Sequence, residues 1–117
     1  MNIVWVEENL DVIADHVAYL IVRGHNVRPI YWSAGISLVR KVLRQMKPDL
    51  VIIHAGSVIQ RSEAAELVYF AKSIGIIVIV DTCSPVLYEE ADACIERPFG
   101  LERPVTVIQA VTGSQVD

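Results

Sequence analysis

Two kinds of hydrophobic pattern alternate along this chain. NIVWV (2–6), DLVIIHA (49–55) and IIVIVD (76–81) are continuous apolar runs, the pattern of strands covered on both faces. NVRPIYW (26–32) is a weaker run; Pro29 removes a ladder donor, which places this strand at the sheet edge. DACIERPF (92–99) supplies a fifth strand near 93–96. Between the runs, apolar residues recur every three to four positions. Leu10, Ile13, Val17, Leu20 and Ile21 predict a helix, with Asn9 suited to cap its start and Gly24 its end. Ile36, Val39, Val42, Leu43 and Met46 share one face of a second helix, which Pro48 stops. A third runs over SEAAELVYFAKSIG (62–75), with Ser62 as its cap and Gly75 as its end. The tail GLERPVTVIQAVTGSQVD predicts a last helix, with Pro104 tolerated in its first turn. Strands alternate with helices, and this order calls for a parallel sheet between two helical layers, joined by right-handed crossovers.

The totals narrow the class. With 117 residues the chain is expected to form one domain, 1–117, and 53% hydrophobic residues supply a core. A net charge of -4 with no basic cluster argues against direct nucleic-acid binding; Arg40, Lys41, Arg44 and Lys47 read as the solvated face of the second helix. Cys83 and Cys94 lack metal-ligand spacing, so two unrelated reduced thiols are expected. No signal peptide or membrane-length apolar run stands out, so a cytoplasmic location is expected. The chain has no GxGxxG or Walker sequence, and Ser57 has no basic partner at a nucleophile turn; no cofactor and no enzymatic activity are expected. His16 and His25 read as surface residues and Trp5 as core, while Tyr31 and Trp32 fit either the core or a partner surface.

Chemistry in a doubly wound sheet gathers at the carboxyl ends of its strands. Here those ends carry Glu7 and Glu8, His54, Asp81 and Thr82, and Arg97. A polar loop accounts for one or two such residues, and accounts less well for an ionisable group at each of these strand ends.

VWVEEN (4–9), PDLVIIHAG (48–56) and ADACIERPF (91–99), in register together, resemble the first, third and fifth strand motifs of response-regulator receiver domains. The resemblance implies an α/β, flavodoxin-like, doubly wound five-stranded parallel sheet in the order 2-1-3-4-5, with helices on both faces. It also implies a role in two-component or related bacterial signalling. Against the family pattern, Glu7 and Glu8 stand at the magnesium-binding acidic pair, and His54 at the phospho-accepting aspartate. Asp81 falls at the Ser/Thr that grips the phosphoryl group, or Thr82 does after a slip of one residue. Arg97 stands at the lysine, followed by Pro98, which matches a proline that commonly follows in a cis peptide. Cys94 replaces the switching aromatic, and Val58 and Ser62 stand where proline and glycine are typical.

The replacements change the chemistry. An imidazole cannot form an acyl phosphate, and magnesium prefers oxygen ligands. Adjacent glutamates on a strand end need not converge on a metal. The expected pocket is therefore vestigial, holding neither metal nor phosphate. His54 would lie among Glu7, Glu8 and Asp81 where the cation would otherwise sit, and Arg97 would fork onto Asp81 or Glu8. Nearby carboxylates raise a histidine pKa and burial lowers it, which leaves the charge of His54 open. The segment between Asp81 and Arg97 is shorter than the family's, and Pro85 interrupts it, so the fourth helix of that pattern is expected to be shortened or absent. That takes away half of the usual dimerisation face and leaves a homodimer open. The expectation is an atypical receiver, or pseudo-receiver, acting through a protein partner in signal transduction or transcriptional regulation, independently of phosphorylation. A small-ligand, metal or pH sensor using the same crevice is the alternative.

Overall fold

A computed structural model of the chain describes residues 1–56, 58–82 and 90–113, with backbone alone for 58–60. The elements are β1 (Asn2–Val6), α1 (Leu10–Val22), β2 (Asn26–Ile30), a 3-10 turn (Trp32–Ala34), α2 (Ile36–Met46), β3 (Leu50–His54), α3 (Val58–Ser73), β4 (Ile77–Thr82), β5 (Ala93–Glu96) and α4 (Glu102–Thr112). All strand pairs are parallel, in the order β2-β1-β3-β4-β5. The three runs that read as doubly covered, β1, β3 and β4, are the interior strands, and the strand with Pro29 is at an edge.

Alternation along each strand divides the core in two. Val4, Val6, Val51, Ile53, Val78 and Val80 pack against Val39 and Leu43 of α2 and Ala64, Leu67, Val68 and Ala71 of α3. On the other face, Ile3, Trp5, Leu50, Ile52, Ile79 and Ile95 pack against Ile13 and Leu20 of α1 and Val105 and Ile108 of α4. Each Leu, Ile or Val buried this fully contributes about 1.5–3 kcal/mol, so β3, whose five residues are all buried, anchors both layers.

Local signals explain the helix ends. The Asn9 side chain accepts from the Asp11 amide and caps α1. Gly24 (φ +97°) and Gly75 (φ +83°) take the left-handed backbone that ends α1 and α3. Lys47 takes the same region (φ 47°) just ahead of Pro48.

Several expectations are corrected. Helix α3 begins at Val58, not Ser62; nothing in Val58–Arg61 breaks a helix, and Ser62 is an exposed residue within it. Ile21 is 52% exposed and Met46 is 38% exposed, because the inward arc of each helix is narrower than its apolar content. His25 is buried, with Nδ1 3.3 Å from the N-terminal ammonium. His16 is half-buried, its Nε2 donating to the Phe99 carbonyl (3.1 Å) and its ring edge-on to Phe99. Trp32 is buried while Tyr31 is exposed. The expectations for Ser57, Cys83 and Pro85 lie outside the described residues. So does most of the β4–β5 connection, where a shortened fourth helix was expected; Glu90–Asp92 form a turn and bends. No described helix is long and apolar enough to cross a membrane.

Candidate functional site

The register sets the site. Trp5 pairs with Ile52 and Val6 with Ile53, so the next positions, Glu7 and His54, lie at the same level. His54 in turn pairs with Asp81. Trp5, Glu7, His54, Asp81 and Arg97 share the parity of the α1/α4 face, and the strands deliver them to one place at their carboxyl ends.

Asp81 is the hub, fully buried. Its Oδ2 accepts from Trp5 Nε1 (3.0 Å) and Arg97 Nη2 (2.8 Å). Its Oδ1 accepts from His54 Nδ1 (3.0 Å) and from Arg97 Nε. Arg97 thus forks onto both oxygens, the bidentate geometry that a lysine cannot make. The same Arg97 Nη2 reaches Glu7 Oε2 at 2.9 Å. Glu7 Oε1 accepts from the Asn9 amide (3.1 Å) and so ties the site to the start of α1.

The electrostatics follow from these contacts. Burial by itself pushes the Asp81 carboxyl up; the hydrogen bonds from His54 and Arg97, with their charge, outweigh it and hold the carboxyl below its ordinary range. Burial pushes the Arg97 guanidinium down, and its bonds and charge pairing with Asp81 and Glu7 bring it above its ordinary value.

His54 Nδ1 faces the Asp81 carbonyl (3.2 Å), Asp81 Oδ1 (3.0 Å) and Glu7 Oε2 (3.6 Å). All three are acceptors, so Nδ1 carries the hydrogen. Nε2 lies against Gly56, where a Cβ would come within 2.3 Å of it. Residue 56 is glycine because the ring occupies the space a side chain would need. Trp32 Nε1 donates to the His54 carbonyl (2.8 Å), fixing the strand end from the other layer.

Glu8 is not part of this cluster. Adjacent strand residues point to opposite faces, and Glu8 is exposed, its Oε2 accepting from the Ser33 amide (2.9 Å). Arg97 therefore pairs with Asp81 and Glu7, not with Glu8. Thr82 is buried, and its hydroxyl donates to the Ala55 carbonyl (3.1 Å). Cys94 is half-buried against the α2/α3 core, on the opposite face from Asp81. The Arg97–Pro98 peptide is cis. Sequence reasoning missed Trp5 and Trp32 as site residues: each presents an indole N–H to a buried acceptor, and only strand register shows which one.

Glu7, His54 and Asp81 each offer one ligand atom, and these atoms lie within 4.8 Å of one another. The donors present do not suit magnesium: one is nitrogen, and Asp81 already receives four hydrogen bonds. The three would suit zinc better, on condition that Arg97 withdraws and His54 Nδ1 gives up its hydrogen. As built, the cationic place between the two carboxylates is filled by a guanidinium.

No protein-family model matches the chain, and no curated protein matches it. Solved structures do. A signal receiver domain from Vibrio parahaemolyticus aligns with TM-score 0.77 at 14% identity, over 96% of this chain and 89% of that one. An atypical orphan response regulator, whose regulatory mechanism is phosphorylation-independent, aligns with TM-score 0.74 at 18% identity, over 100% and 99%. A CheY-like protein (tadZ) from Pseudomonas aeruginosa aligns with TM-score 0.74 at 15% identity, over 95% and 98%. With the strand order β2-β1-β3-β4-β5 and helices on both faces, this chain has the fold of a response-regulator receiver domain.

Proposed function

We propose that residues 1–117 act as one atypical receiver domain, a pseudo-receiver that works through protein–protein contact without aspartyl phosphorylation. One observation carries this reading. The buried carboxylate of Asp81 is saturated by Arg97, His54 and Trp5, while an imidazole stands at the end of β3. A phosphoryl group entering there would meet no carboxylate nucleophile at residue 54. It would also meet two carboxylates, Glu7 and Asp81, already neutralised in part by an internal cation. Receiver domains are in general signalling domains, not enzymes, and the same role is proposed here, in the cytoplasm of a bacterium and toward a protein partner rather than nucleic acid. The test is acetyl phosphate with magnesium, read by intact mass. The parent chain is expected to gain no phosphoryl group, and His54→Asp supplies the missing acceptor for comparison. A magnesium-dependent gain of one phosphoryl group by the parent overturns the reading.

One observation favours a second reading, a sensor responding to a metal ion in the same crevice: the convergence of Glu7, His54 and Asp81. A saturable rise in melting temperature with zinc, lost in His54→Ala, would support it over the first.

A further inference from the structure

This acidic chain has one basic helix. Arg40, Lys41, Arg44 and Lys47, four of its ten basic residues, fall in α2 and its C-cap, and none of its fourteen acidic residues does. At 3.6 residues per turn Arg40, Lys41 and Arg44 lie within one arc of about 100°, and Lys47 follows three residues on. Like charges one turn apart cost a helix stability. The helix dipole offsets that cost for Arg44 and Lys47 in the last turn, but not for Arg40 and Lys41. Arg40 pairs with Glu66 of α3. Among the described residues none of Lys41, Arg44 and Lys47 has an ion-pair partner. Asp49, the nearest acid in sequence, accepts instead from the Asn2 amide (2.7 Å). The guanidinium carbons of Arg40 and Arg44 stand 5.5 and 5.3 Å from the ring centroid of Phe70 on α3, and this cation–π contact holds both forks in place.

Arg44 and Lys47 also line a cavity of about 340 Å³, whose other walls are Pro48, Ile74, Gly75 and Ile76. It lies at the amino ends of β3 and β4, at the opposite end of the sheet from His54 and Asp81. Pro48 and Ile76 are buried and Ile74 is 41% exposed, so the hole has apolar walls and two cations at its rim. An apolar hole beside a charged rim is the anatomy of a protein contact. The chemistry of the occupant follows from it. From residue 40 to residue 47 the cations extend over about 10 Å of helix, too far for one small anion to span. The hole has room for one side chain of leucine or phenylalanine size. Nucleic acid fits less well: its phosphates have nothing to place in the hole, and the acidic remainder of the chain repels a long polyanion. We propose that the basic face of α2, with the cavity at its end, docks an acidic segment of a partner protein, which inserts one apolar side chain beside its carboxylates. The inference rests on the reading of the domain as a protein-contact module and names the surface and the chemistry of the partner.

Selection of a random displayed-peptide library on the whole chain tests it. The selected sequences are expected to carry several Asp or Glu residues beside one Leu, Ile, Phe or Met. A synthetic peptide of that consensus, titrated by fluorescence anisotropy, should bind in the micromolar range and several-fold more weakly at about 300 mM than at about 50 mM salt. Lys41→Glu, Arg44→Glu and Ile74→Asp are each expected to weaken it about tenfold or more. Val22→Asp, on the helix across the sheet, should leave it unchanged. All these positions are exposed, and circular dichroism checks that each variant is folded. Lys in place of the peptide's acids should restore binding to the Lys41→Glu/Arg44→Glu double variant, because the contact again joins opposite charges. A selection without an acidic consensus overturns the proposal, as does peptide binding that ignores these substitutions. So does short duplex DNA, or a phosphatidylserine vesicle, that binds more tightly than the peptide and is lost in the same variants. Magnesium with beryllofluoride separates this inference from the reading beneath it. An unchanged peptide affinity supports both. A changed affinity, with the α2 variants still disruptive, supports this surface and contradicts phosphorylation independence.

Discussion

Asp81 receives four hydrogen bonds from three side chains that the sequence spreads over residues 5, 54 and 97. Because the carboxylate is fully buried, the cation beside it carries much of its stability. Arg97→Ala leaves Asp81 and Glu7 without that cation and is expected to cost about 3–5 kcal/mol. Arg97→Lys keeps the charge but loses the fork, at about 1.5–3 kcal/mol; urea denaturation of the three proteins measures both. Gly56 gives a more local test. Gly56→Ala drives a methyl into His54 Nε2 and is expected to destabilise by about 1–3 kcal/mol. In a His54→Ala background the same change should cost under about 0.5 kcal/mol, since the ring it strikes is gone. A cost that persists there would mean that the ring does not fill that space. At this scale the sequence disclosed the cast and the fork of Arg97 onto Asp81, but not that Glu7, rather than Glu8, is the second partner. That His54, Asp81 and Arg97 stand at strand ends is legible from the apolar runs before them. That Glu7 rather than Glu8 turns inward follows from strand parity, which a doubly apolar strand such as NIVWV does not display.

Among the elements, the apolar runs and their punctuation placed the strands closely, and Asn9, Gly24 and Gly75 marked helix ends at the right residues. The start of α3 was misplaced because Ser62, a good cap by type, is followed by a strong helical pattern that in fact begins earlier. The histidines were misjudged for a different reason. A polar residue after a helix-ending glycine reads as a loop residue, yet the turn from α1 to β2 folds His25 under the N-terminus. There burial first, then the N-terminal ammonium and Arg23, hold its ring below the usual histidine value. The unfolded chain therefore takes up this proton at higher pH than the folded chain does. Stability from this residue is complete above the ordinary histidine pKa, about 6.5, and falls as pH drops from there toward the lowered folded value. Melting temperatures from neutral pH downward are expected to decline across that window. His25→Leu, which cannot titrate, should lessen the decline; an unchanged slope would assign it to other groups.

For the molecule as a whole, two indole N–H groups make the site observable without a label: Trp5 bonds to Asp81 and Trp32 to the His54 carbonyl. The parallel order β2-β1-β3-β4-β5 was legible because doubly covered strands must be central and a strand with proline must be peripheral. The resemblance of the strand motifs to receiver domains pointed to the same order. The fork of Arg97 onto Asp81 was expected from the sequence; what no pattern in it conveys is that the same arginine, just after the last strand, also reaches Glu7, closing over both carboxylates and leaving the crevice with its own cation. That closure is the central claim, and tryptophan fluorescence during titration with magnesium and beryllofluoride tests it most directly. The account predicts a flat emission spectrum for the parent chain at every concentration. A saturable, magnesium-dependent change in the parent's emission, lost when His54 or Asp81 is replaced, would contradict it.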